Sequence, residues 1–308
     1  MSLSRVLCVV GPTAVGKSAV ADRVACELGG EVVSVDSMQV YRGMDVGTAK
    51  TPPEERLCPL HMVDVVDVNQ PYSVQQFQHD ARGCVDGIVA RGGVPVLCGG
   101  TGLYLDAVID EMVFPSGRTG GKNREAYEAI ARERGPEALH AVLQGRDPKS
   151  AAQIHHNNVR RVVRALEMLD EGVSYADHHE GLLVRKRHYD ARIWALSLDR
   201  EELYRRIDTR VDRMFEDGLV EEVRSLSTSG LKESLTASQA IGYKEVLAAL
   251  DGDIAVEEAR RLVKRNSRRY AKRQLSWIRR DGRAQVLDMT HMDSGKAAQL
   301  IADDWRSM

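Results

Sequence analysis

An apolar run, Val6 to Val10, leads directly into Gly11-Pro12-Thr13-Ala14-Val15-Gly16-Lys17-Ser18, and an amphipathic helical pattern follows as far as Leu28. The spacing is G-x-x-x-x-G-K-S between a strand and a helix, the context in which a glycine-rich turn cradles phosphate. Glycines let backbone N–H groups close around phosphate oxygens, and the next helix points its positive end at them. Lys17 adds a full charge, and the Ser18 hydroxyl is a magnesium ligand candidate. A strand feeding such a loop commits the chain to a sheet with helices packed on it.

The patterns that follow extend this. Glu31–Val35 is a second β-branched run ending at Asp36, Val74–Arg91 reads as a helix, and Val94–Cys98 is a third apolar run ending in Gly99-Gly100-Thr101-Gly102. Strands alternating with helices imply a parallel sheet covered on both faces, with ligands beyond the carboxyl ends of the strands. Gly11–Ser18, Asp36 and Thr101 should therefore meet in one crevice. From about Ser116 the character changes. Ser116–Glu125 is polar and glycine-rich, as in a hinge or loop, and Ala126–Leu183 reads as helices rich in Arg and His. Arg192–Leu198 returns to a strand pattern that rejoins the sheet. The expected architecture is a P-loop NTPase-like α/β core, residues 1–117 with 191–308, carrying a helical insertion at 118–190. There is no internal repeat.

Composition excludes more than it selects. Net charge is −2 over 308 residues, so any basic surface has to come from distribution. Cys8, Cys26, Cys58, Cys84 and Cys98 lie in the first third without a C-x-x-C pair, the usage of a reducing cytosol. No apolar run approaches the roughly 20 residues of a membrane span. A cytoplasmic protein without a membrane partner is expected. His155-His156 and His178-His179 lack a matched Cys or His cluster and read as ordinary surface or nucleic-acid-facing residues rather than zinc ligands.

Several residues carry two readings. Asp36 at a strand end can take a proton from an acceptor or hold magnesium, or it can cap the turn that begins at Ser37. Thr101 sits either where flanking glycines let the backbone approach a ligand or in a plain tight turn. Phosphoryl-transfer enzymes with this loop also need a magnesium-holding Asp after a later strand, and Val94–Gly102 carries none. In Val256–Arg283, the cations Arg261, Lys264, Arg265, Arg268 and Lys272 recur at helical spacing, with Tyr270 and Trp277 interleaved. Such a face suits a phosphate backbone and stacked bases, against the alternative of a solvated helix. Arg160–Arg164 is a second basic patch.

GPTAVGKS, VSVDSMQVYRGMDVGTAK, LCGGTGLYLDAV, NNVRRVVRALE, AIGYKEVLAAL and RRYAKRQLSWIRR occur in that order across nearly the whole chain. Together they resemble the bacterial tRNA dimethylallyltransferases, also called tRNA isopentenyltransferases. The resemblance implies transfer of a dimethylallyl group from dimethylallyl diphosphate to N6 of the adenine on the 3′ side of the anticodon. It further implies magnesium, with pyrophosphate released. Carried over by motif, Gly11, Pro12, Thr13, Ala14, Val15, Gly16, Lys17 and Ser18 bind the diphosphate, with Ser18 toward the metal. Asp36 is the general base, acting beside Lys17, and Thr101 and Arg210 contact the donor. Ser37, Met38 and Gln39, with Asp36 and Thr101, hold the flipped adenine. Arg124, Arg160, Arg161, Arg164, Gln239, Gly242, Tyr243, Lys244, Lys272, Arg273, Gln274, Trp277 and Arg279 contact the tRNA anticodon stem-loop. A monomer is expected. The rival readings are transfer to free adenine nucleotides, a small-molecule kinase, and a non-catalytic RNA-binding protein.

Overall fold

A computed structural model describes residues 3–114, 122–183 and 185–308. The chain begins with β1 (Arg5–Val10), α1 (Lys17–Glu27), β2 (Glu31–Ser34), β3 (Leu60–His61), α2 (Val74–Ala90), β4 (Pro95–Gly99) and α3 (Gly102–Ile109). A second group of helices follows: α4 (Lys122–Arg134), α5 (Pro136–Arg146), α6 (Pro148–Gln153), α7 (Val159–Asp170) and α8 (Tyr175–Leu183). The chain then returns with β5 (Asp190–Ser197), α9 (Arg200–Glu216), α10 (Leu219–Ser227), α11 (Tyr243–Leu250), α12 (Val256–Arg280), β6 (Ala284–Asp288) and α13 (Ser294–Arg306).

The six strands form one parallel sheet in the order β3-β2-β4-β1-β5-β6. β1 lies at its centre, with Val9 opposite Cys98 on one side and Trp194 on the other. Its residues alternate between two cores. Val6, Cys8 and Val10 join the core that includes Phe77, Leu105 and Tyr243, while Leu7 and Val9 join the one that includes Val20, Val24 and Ile301. This is why the strand reads as continuously apolar: both faces are covered. The order β2-β4-β1 sets three strand ends side by side, those that lead to Asp36, Thr101 and the Gly11–Ser18 loop.

Described residues up to Ile109 and from His188 form one compact unit, and those from Asp110 to Arg187 form another. The division falls at Asp110 and Arg187, where the sequence places it at 118 and 190. Asp110 and Arg187 pair as an antiparallel bridge, and the Glu111 N–H donates to the Lys186 carbonyl at 2.6 Å. The two chain crossings are thus joined before the polar stretch begins. Of the expected loop at Ser116–Glu125, residues up to 121 lie outside those described, and the rest is already helix α4. The second unit has its own core, including Leu139, Leu143, Val162 and Leu166. Among the described residues, no helix is long and apolar enough to cross a membrane.

Candidate active site

β1 ends against the phosphate loop, and the loop's shape follows from its residue types. A side chain at Gly11 would meet Val15 Cγ1 at 2.8 Å and the Leu196 carbonyl at 3.0 Å. Ala14 (φ 65°) and Gly16 (φ 98°) both adopt left-handed conformations. For a non-glycine residue such as Ala14 this costs about 1–3 kcal/mol, and such strain clusters at ligand sites. Left-handed residues within a turn aim successive N–H groups into one concavity. Gly16 caps α1 without a side chain, so the first N–H groups of the helix have no side-chain acceptor.

Two cations face this concavity. The Lys17 ammonium donates to the Pro12 carbonyl at 3.4 Å, and the Arg210 guanidinium of α9 donates to the Thr48 carbonyl at 3.3 Å. Burial holds the Lys17 ammonium below its ordinary range; the charge of Arg210 pushes the same way, and that of Asp36 opposes it. Burial also lowers Arg210, again opposed by Asp36. Two desolvated cations that share the influence of Asp36 make this concavity a candidate anion site.

Asp36 follows β2. Its Oδ1 accepts the Met38 N–H at 2.9 Å, so the capping role that the sequence allows is present. It uses one carboxylate oxygen and does not exclude proton transfer. The Ser37 N–H donates to Thr101 Oγ1 at 3.4 Å, joining the β2 and β4 ends. Gln39 accepts from the Ser34 hydroxyl at 2.8 Å and donates to the Thr48 carbonyl at 3.3 Å, the oxygen that also receives Arg210.

The turn containing Thr48 is held by a residue that sequence reasoning missed. Glu222 of α10 accepts the N–H groups of Asp45, Val46 and Gly47 at 2.9, 2.7 and 3.2 Å, and the Tyr243 hydroxyl at 2.6 Å. One carboxylate thereby fixes three successive peptides. No local spacing marks Glu222 in the sequence, because those peptides lie more than 170 residues away.

The glycines around Thr101 serve packing. A side chain at Gly102 would enter the Trp277 indole, and one at Gly100 would meet the Gln274 amide. The close approach seen here is that of α12. Trp277 donates to Asp106 at 3.0 Å and is partly buried, and the Tyr270 hydroxyl lies 3.5 Å from Thr101 Oγ1. Both aromatics expected to offer stacking faces therefore have polar partners within the core unit. The expected basic face of α12 is also divided. Lys264 pairs with Asp212 at 2.6 Å and Arg268 with Asp208 at 2.7 Å, both on α9, and Arg261 pairs with Glu258. Lys272, Arg273 and Arg279 are exposed.

The remaining residues expected at nucleic acid are similarly sorted. Gln239 and Lys244 are exposed, whereas Gly242 and Tyr243 are buried. In the other unit, Arg160 and Arg161 are exposed at the start of α7, whose cap is the Asn158 side chain, accepting from the Arg161 N–H at 3.4 Å. Arg164 faces the buried carboxylate of Glu167 at 3.8 Å, and Arg124 is held by Glu128 and Glu167 at 2.9 and 3.3 Å. Among the described residues, no cluster of His, Cys, Asp and Glu forms a cage for a metal ion. The exposed Ser18 hydroxyl is a hard oxygen of the type that would ligate magnesium.

A family profile described as IPP transferase matches residues 39–281, and a second, isopentenyl transferase, matches residues 4–60. The chain belongs to the IPP transferase family. A tRNA dimethylallyltransferase of Geobacillus thermodenitrificans is 46% identical over 304 residues, spanning 98% of this chain and 95% of its own. One of Streptomyces coelicolor is 46% identical over 92% of this chain and 90% of its own. Among solved structures, the tRNA isopentenylpyrophosphate transferase of Bacillus halodurans superposes with a TM-score of 0.73 at 42% identity, covering 99% of this chain and 96% of that one. A eukaryotic dimethylallyltransferase acting on tRNA gives 0.79 at 28%, covering 99% and 80%. Its relatives make it a tRNA prenyltransferase, and the crevice at the ends of β2, β4 and β1 is the candidate active site.

Proposed function

We propose that this chain transfers a dimethylallyl group from dimethylallyl diphosphate to N6 of the adenine next to the anticodon in tRNA. It does so as a monomer in the cytoplasm. Prenyl transfer to tRNA is the activity of its family, and this overturns the kinase, free-nucleotide and non-catalytic readings. The observation that carries the finer assignment is the grouping of Lys17, Arg210 and Asp36, two desolvated cations and one carboxylate within electrostatic reach of each other.

In this reading phosphate is the handle and the leaving group. The N–H groups at the start of α1, with Lys17 and Arg210, hold the diphosphate and favour the charge it gathers as it departs. Ser18 is the group that would hold magnesium, which when bound would spread that charge further. The adenine leaves its stack to reach Asp36 between Ser37, Met38 and Gln39. Its N6 lone pair forms the new N–C bond, and the C–O bond of the donor breaks with its electron pair leaving on pyrophosphate. The amine proton passes to Asp36. Thr101, fixed beside Ser37, faces the reacting end of the donor.

The test is mass spectrometry of an unmodified anticodon stem-loop incubated with the protein, magnesium and dimethylallyl diphosphate. The expected result is one dimethylallyl adduct on the target adenine and release of pyrophosphate without ATP. Orthophosphate as product, or an obligatory need for ATP, refutes it.

A further inference from the structure

We propose that Gln274 is a positioning residue of the phosphate loop, locking it to the Thr101 turn, and does not touch nucleic acid. The inference rests on the reading that the loop holds the donor's diphosphate. Gln274 lies on the inward side of α12 and is 5% exposed. Its Oε1 accepts the Thr13 N–H at 2.8 Å, and its Nε2 donates to the Gly100 carbonyl at 3.0 Å. The first bond reaches the loop after β1 and the second the turn after β4. These strands are neighbours in the sheet, but their ends are separate loops that nothing in the strand pairing holds together. A primary amide has a donor and an acceptor on one planar group and satisfies both peptides at once. Glutamate offers no donor at neutral pH, and methionine offers neither strong function.

Gly100 supports this assignment. A side chain there would lie 3.1 Å from Gln274 Cδ, closer still to Nε2, and 3.0 Å from the Gly11 carbonyl, so the amide and the loop backbone together leave room only for glycine. One turn earlier on the same helix face, Tyr270 places its hydroxyl 3.5 Å from Thr101 Oγ1. α12 thus meets the crevice at two successive inward positions. Lys272 and Arg273, between them in sequence, point outward and are exposed. The Thr13 N–H is taken up by Gln274, which leaves the N–H groups nearer the start of α1 for an anion. Without the amide, the Thr13 peptide loses its acceptor and the loop its fixed distance from Thr101.

The experiment measures two dissociation constants by calorimetry: inorganic pyrophosphate, and unmodified tRNA without donor. Gln274→Met keeps the volume and removes both bonds. It is expected to weaken pyrophosphate binding about tenfold, the scale of one buried polar group left unsatisfied. The donor KM should rise with it, while tRNA binding stays at the wild-type value. If the methionine variant does not fold, Gln274→Asn keeps the amide on an arm too short to reach both peptides and is expected to shift the same constant. Gly100→Ala should give the same donor defect, because the new methyl would meet the Gln274 amide and, at 3.0 Å, the Gly11 carbonyl of the loop. Normal pyrophosphate binding in the Gln274 variants overturns the inference, whether or not tRNA binding falls. Wild-type protein that fails to bind pyrophosphate overturns the donor reading itself, a result no variant can mimic.

Discussion

Lys17 and Arg210 in the crevice donate to peptide carbonyls, whereas Lys264 and Arg268, on the seam between α9 and α12, are neutralised by Asp212 and Asp208. The residue types are the same and the uses opposite. In the crevice, burial pushes both cations toward losing their protons, and a like charge nearby adds to the cost for Lys17. That arrangement is eased by an incoming anion, which is what the proposed donor site requires. On the seam, each cation already has its counter-charge within hydrogen-bonding distance, and the pairs join two helices. What distinguishes a binding cation from a structural one is the partner supplied by a different helix.

Asp36→Asn should have the largest effect. It keeps the size of the side chain and an oxygen able to accept the Met38 N–H, but removes the basic group. Positioned proton transfer contributes about 10²–10⁴-fold, and a fall of that order is expected in the single-turnover rate, with donor and tRNA binding nearly unchanged. If Asp36 acts through its cap alone, the loss appears instead in a thermal melt, at about 0.5–2 kcal/mol, with the rate intact. Partial rescue by added magnesium would make it a metal ligand.

Next come the crevice cations. In the proposed reading, Lys17→Ala and Arg210→Ala each remove one group aimed at the departing diphosphate, an effect of about 10²–10³-fold in comparable sites. Donor binding and rate should fall together. The double variant should cost less than the product of the two, since each removes repulsion felt by the other. Full additivity would show that the two charges act apart, and the crevice half of the comparison would fail.

The contrast between these regions also explains what was legible in the sequence. β1, α1, β2, α2 and β4 are readable because each is apolar or periodic over its own length, and the crevice follows from the rule that parallel strands present ligands at their carboxyl ends. β3 has two residues, and β6 alternates weakly at the sheet's edge, so neither announces itself. In the site, Asp36, Thr101 and the loop stand at strand ends and could be placed by topology. Glu222 could not, because its three peptide partners come from a distant loop. Helical spacing showed that Lys264, Arg268 and Lys272 share a side of α12; it held no information about the carboxylates of α9 that cover the first two.

Lys272 and Arg273 test the exposed end of that helix and should give a moderate effect. Replacing both with alanine is expected to weaken tRNA binding and spare pyrophosphate binding. The slope of log affinity against log salt should become shallower by roughly 0.7–0.9 for each phosphate no longer neutralised. A wild-type affinity that does not fall with salt would return this end of α12 to an ordinary solvated surface.

The smallest effect, and the one that most sharpens the comparison, is expected at Lys264 and Arg268. Both cations and their partners are about a quarter to a third exposed, so solvent screens the pairs. Pairs of this kind contribute about 0–1 kcal/mol, and Lys264→Met and Arg268→Met should each cost no more than that in a denaturant or thermal melt. A double-mutant cycle of Arg268 with Asp208 should return a coupling of the same size, shrinking as salt rises. tRNA affinity and its salt slope should not move, because a cation already neutralised on α9 releases few counterions when nucleic acid arrives. If Arg268→Met instead lowers tRNA affinity as much as losing Lys272 and Arg273, the Asp208 pair must open on binding. The seam would then be a reserve of binding charge, and the distinction between the two regions would depend on the bound state.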